Sequence, residues 1–135
     1  MIKIVILKRN NEGELIVQSK EIEDTLSNYY QLLNCSNIDI IKRKIKHFKA
    51  CFVIDDEYLL RNTPNYPPVA VFVGNGEEAI YGSLIITGEN DEEGNLTSLN
   101  DIQIDYIESS IKMFRRMAQE KTNLEPIFEA LSYSI

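Results

Sequence analysis

The sequence predicts an α+β fold, a mainly antiparallel sheet with two or three helices packed on one face. Three observations carry that reading. Apolar runs of strand-like period come in neighbouring pairs joined by short polar turns, as across Asn10-Asn11-Glu12-Gly13. Residues 97–117 carry the signature of one long helix with its own entry signals. Strands and helices do not alternate strictly, so the parallel sheet of repeated βαβ units is not expected.

Taken in order, Ile2, Ile4 and Ile6 alternate with Lys3, Val5 and Leu7, and Leu15-Ile16-Val17 resumes the pattern after the turn. The first 22 residues therefore read as a β-hairpin. Asp24 or Thr25 caps a short helix in which Leu26, Tyr29, Tyr30 and Leu33 fall at i, i+3, i+4 and i+7, with Asn34 as its stop. Residues 38–45 and 50–54 read as neighbouring strands. Asp55-Asp56-Glu57 turns the chain, and Tyr58-Leu59-Leu60 returns as a brief extended run. Thr63-Pro64-Asn65-Tyr66-Pro67-Pro68 lacks the N–H groups for a full ladder and is expected as a surface loop. Residues 69–73 are a short strand, Gly74-Asn75-Gly76 a turn, and residues 80–87 a strand with Gly82 as a bulge.

Residues 88–95 are polar and form a loop before the long helix. Asn100 and Gln103 have the spacing of a capping box, and Leu99 and Ile104 that of a hydrophobic staple. Ile104, Ile107, Ile111, Phe114 and Ala118 then form one apolar stripe at the helical period. After it, Pro126 suits the first turn of a short terminal helix carrying Ile127, Phe128 and Leu131.

A chain of 135 residues suits a single domain, residues 1–135, with a core that needs no metal or disulfide. No run approaches the roughly 18 apolar residues of a membrane span, and residues 1–5 read as a strand and not a signal peptide. Cys35 and Cys51 form no CxxC pair, so free buried thiols and a cytoplasmic location are expected. The net charge of −7 is unevenly spread: residues 1–54 hold nine Lys/Arg and six Asp/Glu, whereas residues 55–108 hold twelve Asp/Glu against Arg61. So acidic a middle would repel nucleic-acid phosphates and suits a basic protein partner.

No pattern for a nucleophile, metal cluster, Walker loop or dinucleotide site is present, so no enzyme activity and no cofactor are expected. The only histidine, His47, sits among cations that disfavour its protonation. The run Glu89-Asn90-Asp91-Glu92-Glu93-Gly94-Asn95-Leu96 imitates the start of an EF-hand loop, but its twelfth position is Asn100 where a bidentate Glu belongs. It reads as a solvated acidic turn. The run from Lys42 to Lys49 offers a row of lysines with Phe48 to stack a base, and reads more simply as an edge strand guarded by its charges.

On the long helix, Asp101, Asp105, Glu108, Lys112 and Arg115/Arg116 fall in one stripe, acid first and base last, as the helix dipole favours. Ile102, Tyr106, Met113 and Met117 form a second, partly apolar stripe. Either the C-terminal residues, a second copy of the chain or another protein covers it. The candidate protein-binding residues are thus Glu89, Asp91, Glu92, Glu93, Asp101, Asp105 and Glu108 on an acidic surface, and Ile102, Tyr106, Met113 and Met117 on the apolar stripe.

Several strings resemble one family: Cys51-Phe52-Val53-Ile54-Asp55-Asp56-Glu57-Tyr58-Leu59-Leu60 with Pro64-Asn65, Tyr81-Gly82-Ser83-Leu84-Ile85-Ile86-Thr87-Gly88, and Thr97-Ser98-Leu99-Asn100-Asp101. Together with the N-terminal hairpin and first helix they are similar to the domain-of-unknown-function family numbered thirty-eight forty-six (DUF3846). The likeness spans roughly residues 1–110, leaving the helix end and C-terminal extension outside it. Thr63 departs from the family's tendency to a proline there. The resemblance implies small proteins of Gram-positive bacteria, phages and mobile elements, and no chemistry. Combined with the acidic middle, it suggests a non-catalytic accessory protein that binds a host protein with a basic surface, of the antirestriction or anti-CRISPR kind. A small-ligand or divalent-ion module using residues 89–101, and a nucleic-acid accessory using residues 42–49, are the other classes the chain admits.

Overall fold

The computed structural model describes residues 1–45, 48–61, 66–74, 77–117 and 127–132, with residues 61, 112–117 and 127–132 described by backbone alone. Strands β1 (Ile2–Arg9) and β2 (Leu15–Ile22) form the expected hairpin. Asn10 accepts at its side-chain Oδ1 from the N–H groups of Glu12 and Glu14, and donates its own N–H to the Glu14 carbonyl at 3.0 Å. That closes the turn and sets the register that pairs Lys3 with Glu21, Val5 with Ser19 and Leu7 with Val17. Helix α1 (Leu26–Leu33) is capped by Thr25, whose hydroxyl accepts from the Asn28 N–H, and stops at Asn34 in the left-handed conformation, φ 53°.

Strands β3 (Asp39–Ile45) and β4 (Phe48–Ile54) follow, then the helical turn α2 (Tyr58–Arg61), β5 (Ala70–Gly74), β6 (Glu77–Ile80), β7 (Leu84–Gly88), helix α3 (Asp101–Met117) and β8 (Ile127–Ser132). The eight strands form one sheet in the order β2-β1-β7-β4-β3-β8-β5-β6. Every pairing is antiparallel except that of β5 with β8. The α+β class holds.

Four local expectations are corrected. Tyr58-Leu59-Leu60 is helical, because the Asp55 carbonyl accepts from the Tyr58 N–H while its Oδ1 accepts from Glu57, bending the chain into a turn. Residues 80–87 are two strands, not one: Gly82 takes φ +85° with the Tyr58 ring against it, which breaks the run between β6 and β7. The terminal helix is the strand β8, which lies between β3 and β5 and takes its backbone partners from both. Finally, α1 and α3 use opposite faces of the sheet. Ile4, Ile6, Cys51, Val53 and Ile85 point to the face holding Tyr29 and Leu33 of α1. Val5, Leu7, Phe52, Leu84 and Ile86 point to the other, which holds Ile104, Ile107 and Ile111 of α3. Strands buried on both faces read as continuous apolar runs, as 4–7 and 50–54 do.

The sheet is strongly curled toward α3. Arg43 on β3 reaches Glu78 on β6 through two hydrogen bonds of 3.0 and 2.9 Å, although β6 is three strand positions away, which a flat sheet would place roughly 14 Å off. At the far end, the Arg9 guanidinium on β1 donates to the carbonyls of Pro67 and Pro68 just before β5. Tyr66 donates its hydroxyl to the Asn11 carbonyl at 2.6 Å, so the loop packs onto the first turn.

Candidate functional site

The entry of α3 is docked onto the start of β1 by a compact set of bonds. Lys3 donates its N–H to Ser98 Oγ and accepts the Leu99 N–H at its carbonyl, both at 2.9 Å. Asn100 and Gln103 cap each other reciprocally: Gln103 N–H donates to Asn100 Oδ1 at 2.8 Å, and Asn100 N–H to Gln103 Oε1 at 2.9 Å. Leu99 and Ile104, the staple pair, are both buried in the core. With the apolar stripe facing the sheet, Asp101, Asp105 and Glu108 at i, i+4 and i+7 must line one flank of the helix. That flank faces β2.

Between them lies an open groove of about 380 Å³, lined by Lys3, Ser19, Lys20, Glu21, Asp101, Ile104, Asp105 and Glu108. Four acidic residues and two lysines line it; Lys3 already pairs with Asp101 at 3.2 Å, and Lys20, paired with Ile4, stands by register on the opposite face of β2. Both members of the Lys3–Asp101 pair are largely solvated, so it adds roughly 0–1 kcal/mol and leaves the groove acidic.

The acidic residues singled out from the sequence are divided. Asp101, Asp105 and Glu108 come together here; Glu89, Asp91, Glu92 and Glu93 do not line the groove. Asp91, Glu92 and Glu93 sit on a turn closed by the Asn90–Leu96 bridge, with Glu89 just before it, and Asp91 Oδ1 accepts from the N–H groups of Glu93 and Asn95, both at 2.9 Å. Leu96 donates its N–H to Asp24 Oδ2, and Asp24 Oδ1 accepts the Tyr29 hydroxyl at 2.6 Å, which ties this turn to the α1 face. Asp91 thus spends an oxygen on its own loop. Among the described residues no cluster of three or more His, Cys, Asp or Glu side chains is placed to hold a metal ion.

The apolar stripe is divided as well. Ile102 is 81 % exposed, whereas Tyr106 is half-buried and meets Phe48 edge-on, ring centroids 6.0 Å apart at 86°. Phe48 is therefore the cover for Tyr106. The side chains of Met113 and Met117 lie outside the described residues, as do Phe114, Ala118 and the Lys46-His47 step.

The described part of the 42–49 run is divided between β3 and β4, and neither is an edge: β3 has β4 on one side and β8 on the other, and β4 lies between β3 and β7. The run's Arg43 is committed to Glu78 and its Phe48 to Tyr106, which removes the stacking ring and one cation from a nucleic-acid surface. Two thiols remain, Cys35 half-buried and Cys51 buried, and burial pushes the Cys51 thiol above its ordinary range, against use as a thiolate.

A family model described as a domain of unknown function (DUF3846) matches residues 2–114. The chain belongs to that family. Comparison with curated proteins and with solved structures returns no match. The matched span takes in the whole groove, since Lys3, β2 and residues 101–108 all fall within it, while β8 lies outside. Among the described residues of this DUF3846 chain, no helix is long and apolar enough to cross a membrane. Sequence reasoning had missed Lys3, Ser19, Lys20 and Glu21 as parts of the site. The hairpin turn foretells that Lys3 sits across from Glu21, but nothing local says that α3 lies beside them.

Proposed function

We propose that this DUF3846 chain is a non-catalytic accessory protein of a phage or mobile element. It binds a basic surface of a host protein and, in that role, blunts a nucleic-acid-handling defence system of the antirestriction or anti-CRISPR kind. The observation that carries the reading is the groove between β2 and α3, where Glu21, Asp101, Asp105 and Glu108 outnumber Lys3 and Lys20. The net charge of −7 points the same way, since long-range attraction would speed encounter with a basic partner and weaken with added salt. The family's company in phages and mobile elements, as the resemblance implies it, supplies the setting.

The test is phage plating on hosts that carry a restriction or CRISPR system, with and without the expressed chain. Protection of the phage by the unaltered chain, lost on Asp101→Lys/Asp105→Lys/Glu108→Lys, is the expected result. Equal plating with and without the chain across such hosts overturns it.

A further inference from the structure

We propose that the outer edge of β2 accepts an extended basic segment of the partner as an added strand, its alternate side chains reaching the acidic flank of α3. The inference rests on the reading that the chain binds a basic protein, and it names how. β2 is a terminal strand of the sheet and its exposed stretch is Gln18 to Glu21. Because the Asn10 N–H bonds the Glu14 carbonyl, the even-numbered residues of β2 direct their backbone groups to β1. Val17, Ser19 and Glu21 direct theirs outward, and among the described residues no hydrogen bond meets those groups. A row of unmet donors and acceptors along a strand of this length is a template for another strand.

Charge decides the occupant. Ser19 and Glu21 stand on the same face as Val5 and Leu7, the face that carries α3, since they pair with Val5 and Lys3. A strand laid along this edge would send every second side chain toward Asp101, Asp105 and Glu108. A second copy, paired edge to edge, would bring two such acidic flanks together, and an acidic segment would meet the same repulsion. A segment with Lys or Arg at alternate positions satisfies the backbone and the carboxylates at once.

The probe is a ten-residue peptide alternating lysine with threonine and valine, compared with its glutamate counterpart and with a version N-methylated at alternate amides. Amide hydrogen exchange is read residue by residue. Binding of the lysine peptide should slow exchange at Val17, Ser19 and Glu21 and leave Gln18 and Lys20, already bonded to β1, unchanged. The N-methylated and glutamate peptides should not. Ser19→Pro removes an outward donor at a position where proline is tolerated. It should keep the melting curve and weaken lysine-peptide binding by about tenfold, the size of one lost backbone hydrogen bond. If the peptide binds near α3 but the three amides stay unprotected, or the N-methylated version binds equally, strand addition is wrong while charge recognition stands. Protection without peptide, together with a doubled mass, makes a second copy the occupant and overturns the proposal. No peptide binding also overturns it, and phage plating then judges the broader reading separately.

Discussion

The rings of Phe52 on β4 and Phe72 on β5 lie with centroids 4.7 Å apart, tilted by 59°, although β3 and β8 intervene between their strands. Only a sheet that rolls back on itself brings them into contact. Both rings are buried, and together they fill the concave side on which α3 also packs. Phe72→Ala should therefore destabilise the chain by about 3–5 kcal/mol, a large share of an ordinary domain's stability. Denaturant unfolding checks this, and loss of under about 1 kcal/mol would mean the roll is not held from inside.

The reciprocal cap of Asn100 and Gln103 should couple energetically. Asn100→Ala is expected to cost about 1 kcal/mol, and the double variant with Gln103→Ala less than the sum of the two singles, since either change removes part of the same box. A double-mutant cycle by thermal denaturation reads the difference.

Gly82 is strained ground for any side chain. Its φ of +85° disfavours L residues, and an added Cβ would lie 2.9 Å from the Tyr58 ring. Gly82→Ala should lower stability by about 1 kcal/mol or more. Adding Tyr58→Ala should return the steric part and leave the backbone part, so recovery in the double variant is partial.

Stability should fall in alkali. Burial raises the Cys51 thiol above its ordinary 9.0, and burial with the Asp24 hydrogen bond raises the Tyr29 phenol above 10.0. Below those values folded and unfolded chains are protonated alike. As pH climbs past them the unfolded chain binds fewer protons, so the equilibrium shifts toward it. Melting temperature should hold to about pH 9 and then decline, and Tyr29→Phe should flatten the decline above about pH 10.

The two sides of the sheet should respond differently to proline. At Ser19, on an edge, it should be tolerated; at Ala130, where β8 is paired with Ile45 and Gly74 at once, it removes a donor from the middle of the sheet. Ala130→Pro should lose cooperative melting or fail to accumulate, while Ser19→Pro melts within a few degrees of the parent.

What could be read from the sequence was what local chemistry determines. The Asn10 turn, the Thr25 and Asn34 caps and the Asn100–Gln103 box each name their own geometry through a side chain bonding a nearby backbone group. β8 was misread because Ile127, Phe128 and Leu131 fit a helix face as well as a strand. Its partners, β3 and β5, are far away in sequence and settle the matter. The break at Gly82 depends on a tyrosine more than twenty residues earlier. The site followed the same rule: Asp101, Asp105 and Glu108 share a flank by helical period alone, whereas Lys3, Lys20 and Glu21 join them only through the packing of α3 against the hairpin.

The placement of β8 bears on how the protein comes into being. A ribosome delivers residues 127–132 after the other seven described strands, yet they occupy an inner position between β3 and β5. Until they emerge, β3 and the β5–β6 hairpin have nothing to join them, and each exposes an open strand edge. The nascent chain must wait in an incomplete state with two sticky borders, a condition that invites chaperone capture or mispairing. Completion of the sheet thus waits for residues 127–132, and β8 acts as the last stave that draws the curl shut.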